Sequence, residues 1–181
     1  MLVIHPTDPT TEVLKALYDK ESAVTVVNQS LNNGMIRHLL HHLPKSERLM
    51  LLGHGSPNGL FSRHIESGEF DRIIVGHPHA YYLRGRVNII AIFCNADKFA
   101  QKEGLHGLYS GMIVSEMEEA IEYGISTSAE EIATELPLFV SCLRDLLDTG
   151  VPLSEIPQAM AMSSFHDSEL NNFNYNNLHF L

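Results

Sequence analysis

Two cysteines in 181 residues cannot build the disulfide framework that staples small secreted domains, so this chain must hold itself together by burying a core. A reducing, cytoplasmic setting is the simplest expectation. Basic residues are scarce too: twelve Lys and Arg face twenty-two Asp and Glu, for a formal charge of -10, and a surface that tracks a phosphate backbone needs basic clusters. Nucleic acid is therefore not an expected partner. No apolar run approaches the roughly 20 residues that cross a bilayer. The opening MLVIH also lacks the basic flank and long apolar stretch of a signal peptide, so no membrane association is expected.

What the chain does have is apolar residues in short runs, 44% of the total. That suffices for one well-buried core and not for two ordinary domains, so residues 1–181 are read as a single domain. Residues 2–5, 23–27, 48–52 and 87–92 look like strands, most of them apolar throughout as buried parallel strands are. Between them, residues 10–18 carry Val13, Leu14 and Leu17 on one helical face, with Asp8 or Thr10 as cap and Pro9 near the first turn. Residues 32–43 form a second helix stopped by Pro44. Residues 57–62 read as a turn or short hairpin, 70–75 as an extra strand and 76–79 as a turn. Residues 96–103 follow as a helix ended by Gly104, then 109–115 as a fifth strand and 116–123 as another helix. Such alternation predicts a mostly parallel sheet covered on both faces, because parallel strands need crossover connections.

Beyond Ser126 the pattern turns helical. Residues 129–147 repeat Ile132, Leu136, Phe139, Val140, Leu143 and Leu147 at helical spacing, with a bend or break expected at Pro137, and residues 153–162 add a shorter segment. The asparagine-rich tail from 171 to 181 reads as an edge strand or a docked coil.

Two motifs close apolar runs: GHGS, residues 53–56, after the third strand, and FCNAD, residues 93–97, after the fourth. Open parallel sheets bind ligands at the carboxyl ends of their strands, which places His54 and Cys94 side by side. A base next to a thiol is the minimum equipment for covalent catalysis. Cys94 stands where a strand ends and a helix begins, with Asn95 as cap, and the positive end of that helix would favour the thiolate. His54 would take the thiol proton or return it to a leaving amine, while the backbone N–H groups of Gly55 and Cys94 could hold the oxyanion of a tetrahedral intermediate. The implied reaction class is acyl transfer from an amide.

An apolar strand ending in His-Gly, a second ending in Cys, and the later segment GLHGLYSGMIVSEMEEAIEYGI resemble the clan CD cysteine peptidases, the group of caspases, legumains, gingipains, clostripain and separases. The element order matches over the stretch that ends near Ile125, and the specific motifs are GHGS and FCNAD. The resemblance implies the caspase-hemoglobinase fold, a three-layer α/β sandwich with a mostly parallel central sheet, here followed by a helical C-terminal third. It implies a His54–Cys94 dyad, an oxyanion hole from Gly55 and Cys94, a peptide or protein substrate, and no metal or organic cofactor. Ile92 occupies the place that often carries a polar or acidic specificity residue in that group, so that strand supports no charged preference. Ser115 and Glu116 occupy the other region that lines the pocket, where Glu116 could select Lys or Arg. An exposed sheet edge could pair in a homodimer, as in caspases.

Two other functions compete. GHGS also resembles a motif of sirohydrochlorin-type metal chelatases, in which the His helps bind the metal; there the motif usually ends the first strand. A caspase-like module could alternatively bind a partner through the same cleft without catalysis. Plainer readings cover the remaining features: Cys142 packs on a helical flank, His38, His41 and His42 line a solvated helix face, His77 and His79 flank Pro78 in a turn, and the acidic run from Glu116 to Glu122 faces water.

Overall fold

Strands that are apolar at every position must be covered on both faces, and three such strands, with a fourth of sequence Leu-Tyr-Ser that is equally buried, form the centre of this molecule. The computed structural model describes residues 1–29, 31–63, 70–164 and 168–181. Strands β1 (Leu2–Ile4), β2 (Thr25–Val27) and β3 (Leu49–Leu52) are followed by a small antiparallel sheet of β4 (Gly55–Ser56), β5 (Gly59–Arg63) and β6 (Phe70–Gly76). The chain then returns to the main sheet with β7 (Ile89–Ile92), β8 (Leu108–Ser110) and β9 (Leu178–Phe180). The six-stranded sheet has the order β2-β1-β3-β7-β8-β9, parallel throughout except for β9.

Alternation along the strands sends side chains into two cores. On one face Leu2, Ile4, Leu49 and Leu51 meet helices α1 (Asn33–His42), α2 (Ala80–Leu83) and α3 (Ala96–Glu103) through Ile36, Leu40, Leu83 and Phe99. On the other, Val3, Met50, Leu52, Ile90 and Ile92 meet a 3-10 helix (Pro9–Leu17) and the C-terminal helices. Those are α5 (Ala129–Asp148), α6 (Ile156–Met162) and α7 (Glu169–Tyr175), after α4 (Met117–Tyr123), which sits outside both cores in a smaller cluster around Val114 and Ala120. The result is an α/β sandwich of helices, mixed sheet and helices, with the helical C-terminal third forming most of one outer layer.

Several elements differ from the sequence expectation, each for a local reason. The first helix is of 3-10 type, because its buried residues, Thr11, Leu14 and Leu17, recur every three positions and a three-residue turn lines them up on the sheet. Asp8 caps it, accepting from the Thr10 amide at 2.9 Å. Helix α5 runs through Pro137 without interruption; burial of Phe139, Val140, Leu143 and Leu147 along one face outweighs the single donor lost there. The fifth strand stops at Ser110 rather than reaching Ser115. Beyond it the Gly111 amide donates to the Asn177 carbonyl at 2.8 Å, and the Asn174 side chain accepts from the Val114 N–H (2.8 Å) and donates to the Val114 carbonyl (3.0 Å). Asn174 thus substitutes for a neighbouring strand. The short helices α2 and α7 go beyond the sequence reading, and of the two readings of the tail, edge strand or docked coil, the edge strand is found as β9.

Candidate functional site

The first-strand loop, GHGS and FCNAD meet because β1, β3 and β7 are consecutive parallel neighbours, so their carboxyl ends emerge side by side. Direct packing joins the two motifs. At Gly55 a Cβ would lie 2.2 Å from Cδ2 of Phe93 and 2.8 Å from the Gly59 carbonyl oxygen, so only glycine lets the hairpin close onto the buried Phe93 ring. His54, Ile92 and Cys94 line one cavity of about 40 Å³ together with Thr10 and Ser115. That volume has the scale of one or a few water molecules, enough for reacting atoms and too little for a substrate side chain.

His54 is held in a defined state. Its Nε2 lies 2.7 Å from Thr10 Oγ1 and 3.7 Å from Asp8 Oδ2, and its side chain is only 12% exposed. The Thr10 hydroxyl also lies 2.7 Å from Asp8 Oδ1. An ionised carboxylate can only accept, so the hydroxyl proton points to Asp8 and the Thr10 oxygen accepts from Nε2–H of His54. In the neutral imidazole this contact puts the proton on Nε2 and the lone pair on Nδ1. Of the two cap candidates, Asp8 caps the 3-10 helix and Thr10 does not, and both also orient the histidine. The readable signal was an acid and a hydroxyl directly after the strand next to the one that carries His54.

Cys94 is half-buried at the end of β7, and its surroundings reverse the expectation of a favoured thiolate. Burial and the Glu119 carboxylate push its thiol from 9.0 up to about 12, against a weaker opposing pull from its own backbone N–H. Its Sγ donates to Glu119 Oε1 at 3.8 Å. Asn95 does not cap α3 either: it adopts a left-handed conformation (φ 61°) that asparagine tolerates, and its side chain accepts from Lys98 Nζ at 2.7 Å instead. Cys94 therefore rests as a thiol.

Glu119 is the main residue the sequence reading missed. It belongs to the acidic run expected to face water, yet its Oε2 accepts from the Ser115 amide (2.8 Å), the Ser115 hydroxyl (2.9 Å) and the Glu116 amide (3.2 Å). A glutamate three residues into a helix commonly reaches back to the first amides, and that spacing was the available signal. Glu118 and Glu122 are exposed as expected. Ser115 is tied to Glu119, and Glu116 opens α4 beside a second cavity of about 310 Å³ that shares Thr10, Val13, Ser115 and Leu136 with the first.

The other histidines stand apart from this cavity. His38, His41 and His42 are exposed on α1, with His42 Nδ1 bonded to the His38 carbonyl, and Cys142 packs against the second core. His77 pairs with Glu103 (3.0 Å), while buried His79 accepts the Gly76 amide; both line a separate cavity. Among the described residues no three His, Cys, Asp or Glu side chains gather as metal ligands, and no helix is long and apolar enough to cross a membrane. The chain matches no protein-family model, no curated protein and no solved structure.

Proposed function

We propose that the chain is a cysteine endopeptidase of the caspase-like group, acting through His54 and Cys94. The supporting observation is that the thiol and the imidazole converge from adjacent strand ends on one cavity, with the imidazole tautomer set by Thr10 and Asp8. The sheet order and the antiparallel hairpin directly after the histidine are in keeping with a caspase-hemoglobinase arrangement.

In this reading the Cys94 sulfur attacks the carbonyl carbon of the scissile amide while its proton passes to His54 Nδ1. With the thiol at about 12, a resting ion pair is disfavoured, and proton transfer accompanies S–C bond formation. The oxyanion is assigned to the Gly55 and Cys94 amides, with Gly55 packed through its Cα side against Phe93, which fixes where its amide lies. His54 then protonates the leaving amine. A water, deprotonated by the same imidazole, cleaves the thioester and regenerates the thiol. A peptide or protein is the substrate, and edge strand β2 offers a surface for a homodimer.

One observation favours a non-catalytic binding module: the Glu119 carboxylate beside Cys94 opposes thiolate formation. The two are separated by incubation with peptidyl acyloxymethyl ketones, in which a cysteine sulfur displaces the carboxylate leaving group and forms a thioether. Adduct on Cys94, lost together with peptide hydrolysis in Cys94→Ala, is the expected result. Hydrolysis that survives in Cys94→Ala, or adduct confined to another residue, overturns the assignment. The chelatase alternative has His54 with the Asp8 carboxylate 3.7 Å away in its favour, but no cluster of three His, Cys, Asp or Glu side chains among the described residues.

A further inference from the structure

Where β7 gives way to the cysteine turn, its backbone still needs partners on both sides. Toward β3, the Gly53 N–H donates to the Ile92 carbonyl at 3.1 Å. On the other side β8 ends at Ser110, and the serine hydroxyl takes over from the strand backbone. Ser110 is fully buried; its Oγ accepts from the Phe93 N–H at 3.0 Å and donates to the Phe93 carbonyl at 2.8 Å, with the Ala91 carbonyl farther off at 3.4 Å. One side chain thus holds two consecutive peptide planes. The second of them carries the Cys94 N–H.

A trans peptide group is flat, so its carbonyl and the N–H that follows point in opposite directions. Between Ile92 and Phe93 the carbonyl meets Gly53 on the β3 side and the N–H meets Ser110 on the β8 side, since β7 lies between those two strands. Between Phe93 and Cys94 the order reverses: Ser110 takes the carbonyl on the β8 side, which turns the Cys94 N–H toward β3 and the GHGS turn beyond it. The Ala96 N–H adds a second bond to the Phe93 carbonyl at 3.1 Å, and the Gly111 carbonyl accepts the Asn95 N–H at 3.0 Å, so the chain is held on both sides of the cysteine. We propose that Ser110 is a positioning residue for the oxyanion hole, holding the Phe93 carbonyl so that the Cys94 N–H faces the oxygen of the scissile carbonyl. The inference rests on the peptidase reading. Donors aimed before the charge develops need no reorganisation when it does, and a buried hydroxyl that grips the far side of the same peptide supplies that aim without touching substrate. Removing it strips the Phe93 N–H of its acceptor in a buried setting and leaves the Phe93 carbonyl with Ala96 alone, so the plane is free to tilt.

The test compares two reactions of the Cys94 thiol. Iodoacetamide needs the sulfur alone: the S–C bond forms, iodide leaves and the thiol proton passes to solvent. A peptidyl aldehyde also needs the hole, because the sulfur adds to the carbonyl carbon, the C–O double bond becomes single, and the oxygen, which takes the thiol proton, lies where the oxyanion forms. Tripeptidyl aldehydes ending in arginine, leucine or aspartate are titrated, and the one that binds the unaltered chain most tightly is carried to the variants. Ser110→Ala should weaken aldehyde binding about tenfold while Cys94 alkylation stays within about twofold; the N–H is misaimed rather than removed, and removing such a donor costs about 10²–10³ in rate. Ser110→Cys, of nearly the same shape but a weak donor, should fall between the two and serves as the readout if the alanine variant does not fold. Aldehyde binding unmoved in both variants, or alkylation falling in step with it, would overturn the positioning role while leaving the peptidase reading intact. No Cys94 adduct of the unaltered chain with any peptidyl probe would remove the peptidase reading and this inference with it.

Discussion

Replacing Glu119 by Gln tests what keeps the Cys94 thiol neutral. Raising a thiol from 9.0 to about 12 corresponds to a preference of about 4 kcal/mol for the neutral form. Coulomb's law for two charges 3.8 Å apart gives about 4 kcal/mol at an effective dielectric of about 20, but burial is the largest single cause here, so the carboxylate, through its charge and its hydrogen bond, carries only part of the rise. We assign it about 1.4 kcal/mol, a tenfold change in thiolate at neutral pH. Nucleophilicity falls with pKa, with a slope of about 0.4–0.5, so the alkylation rate should rise only about threefold. Glutamine keeps an oxygen for the Ser115 and Glu116 amides and turns an amide donor toward sulfur, so the local backbone has reason to stay in place. The assay is iodoacetamide alkylation of Cys94 between pH 6 and 9, followed by peptide mass spectrometry with Cys142 as internal reference. A rate equal to or below that of the unaltered chain would show that the carboxylate does not hold the thiol down.

Two further outcomes follow from the same contacts. Gly55→Ala forces a methyl group into the Phe93 ring and toward the Gly59 carbonyl, and should cost about 1–3 kcal/mol in urea unfolding; an unchanged midpoint would mean that the hairpin does not sit against Phe93. His5 is buried between Tyr18 (3.0 Å) and Thr11 (3.3 Å), and burial lowers its pKa below 6.5. The unfolded chain therefore binds a proton that the folded one resists: this contribution is complete above about pH 6.5 and is lost as pH falls below it, by up to about 1.4 kcal/mol per pH unit. Urea unfolding at pH 7.5 and pH 5 should show the loss, and His5→Gln should reduce it; an equal slope in both proteins would refute the argument.

The centre of the main sheet was legible because several of its strands are apolar at every position, a pattern that two-sided burial explains; residues 49–52 and 89–92 are the clearest cases. The placement of His54 and Cys94 at one end of the sheet followed from the rule that open sheets place sites at strand carboxyl ends, while their adjacency comes from the pairing of β3 with β7. The electrostatics were not legible. An acidic run gives no sign of which carboxylate turns inward, and Glu119 does so only because the Ser115 and Glu116 amides at the helix start need an acceptor. The left-handed Asn95 was equally hidden, since asparagine suits both a cap and a positive φ. Asp8 and Thr10 were visible as caps, but their contact with His54 depends on a partner 44 residues away.

The C-terminal third shows why local patterns carry only part of a site. Ser115 and Glu119 can stand beside Cys94 only if the segment after β8 is held without a sheet neighbour, and an asparagine side chain is the right device, since it offers one donor and one acceptor at the spacing of a peptide group. Asn174 uses both on Val114. Its own helix is anchored in turn: Asn171 donates to Glu135 of α5 at 2.7 Å, and Ser168 to Glu131 at 2.6 Å. The helix that walls the large cavity therefore also steadies, through α7, the backbone that presents Ser115 and Glu116 on the opposite side. Pocket wall, pocket rim and thiol environment are thus mechanically one unit. The asparagine-rich tail is part of the site's frame despite contributing no residue to the cavity that holds His54 and Cys94.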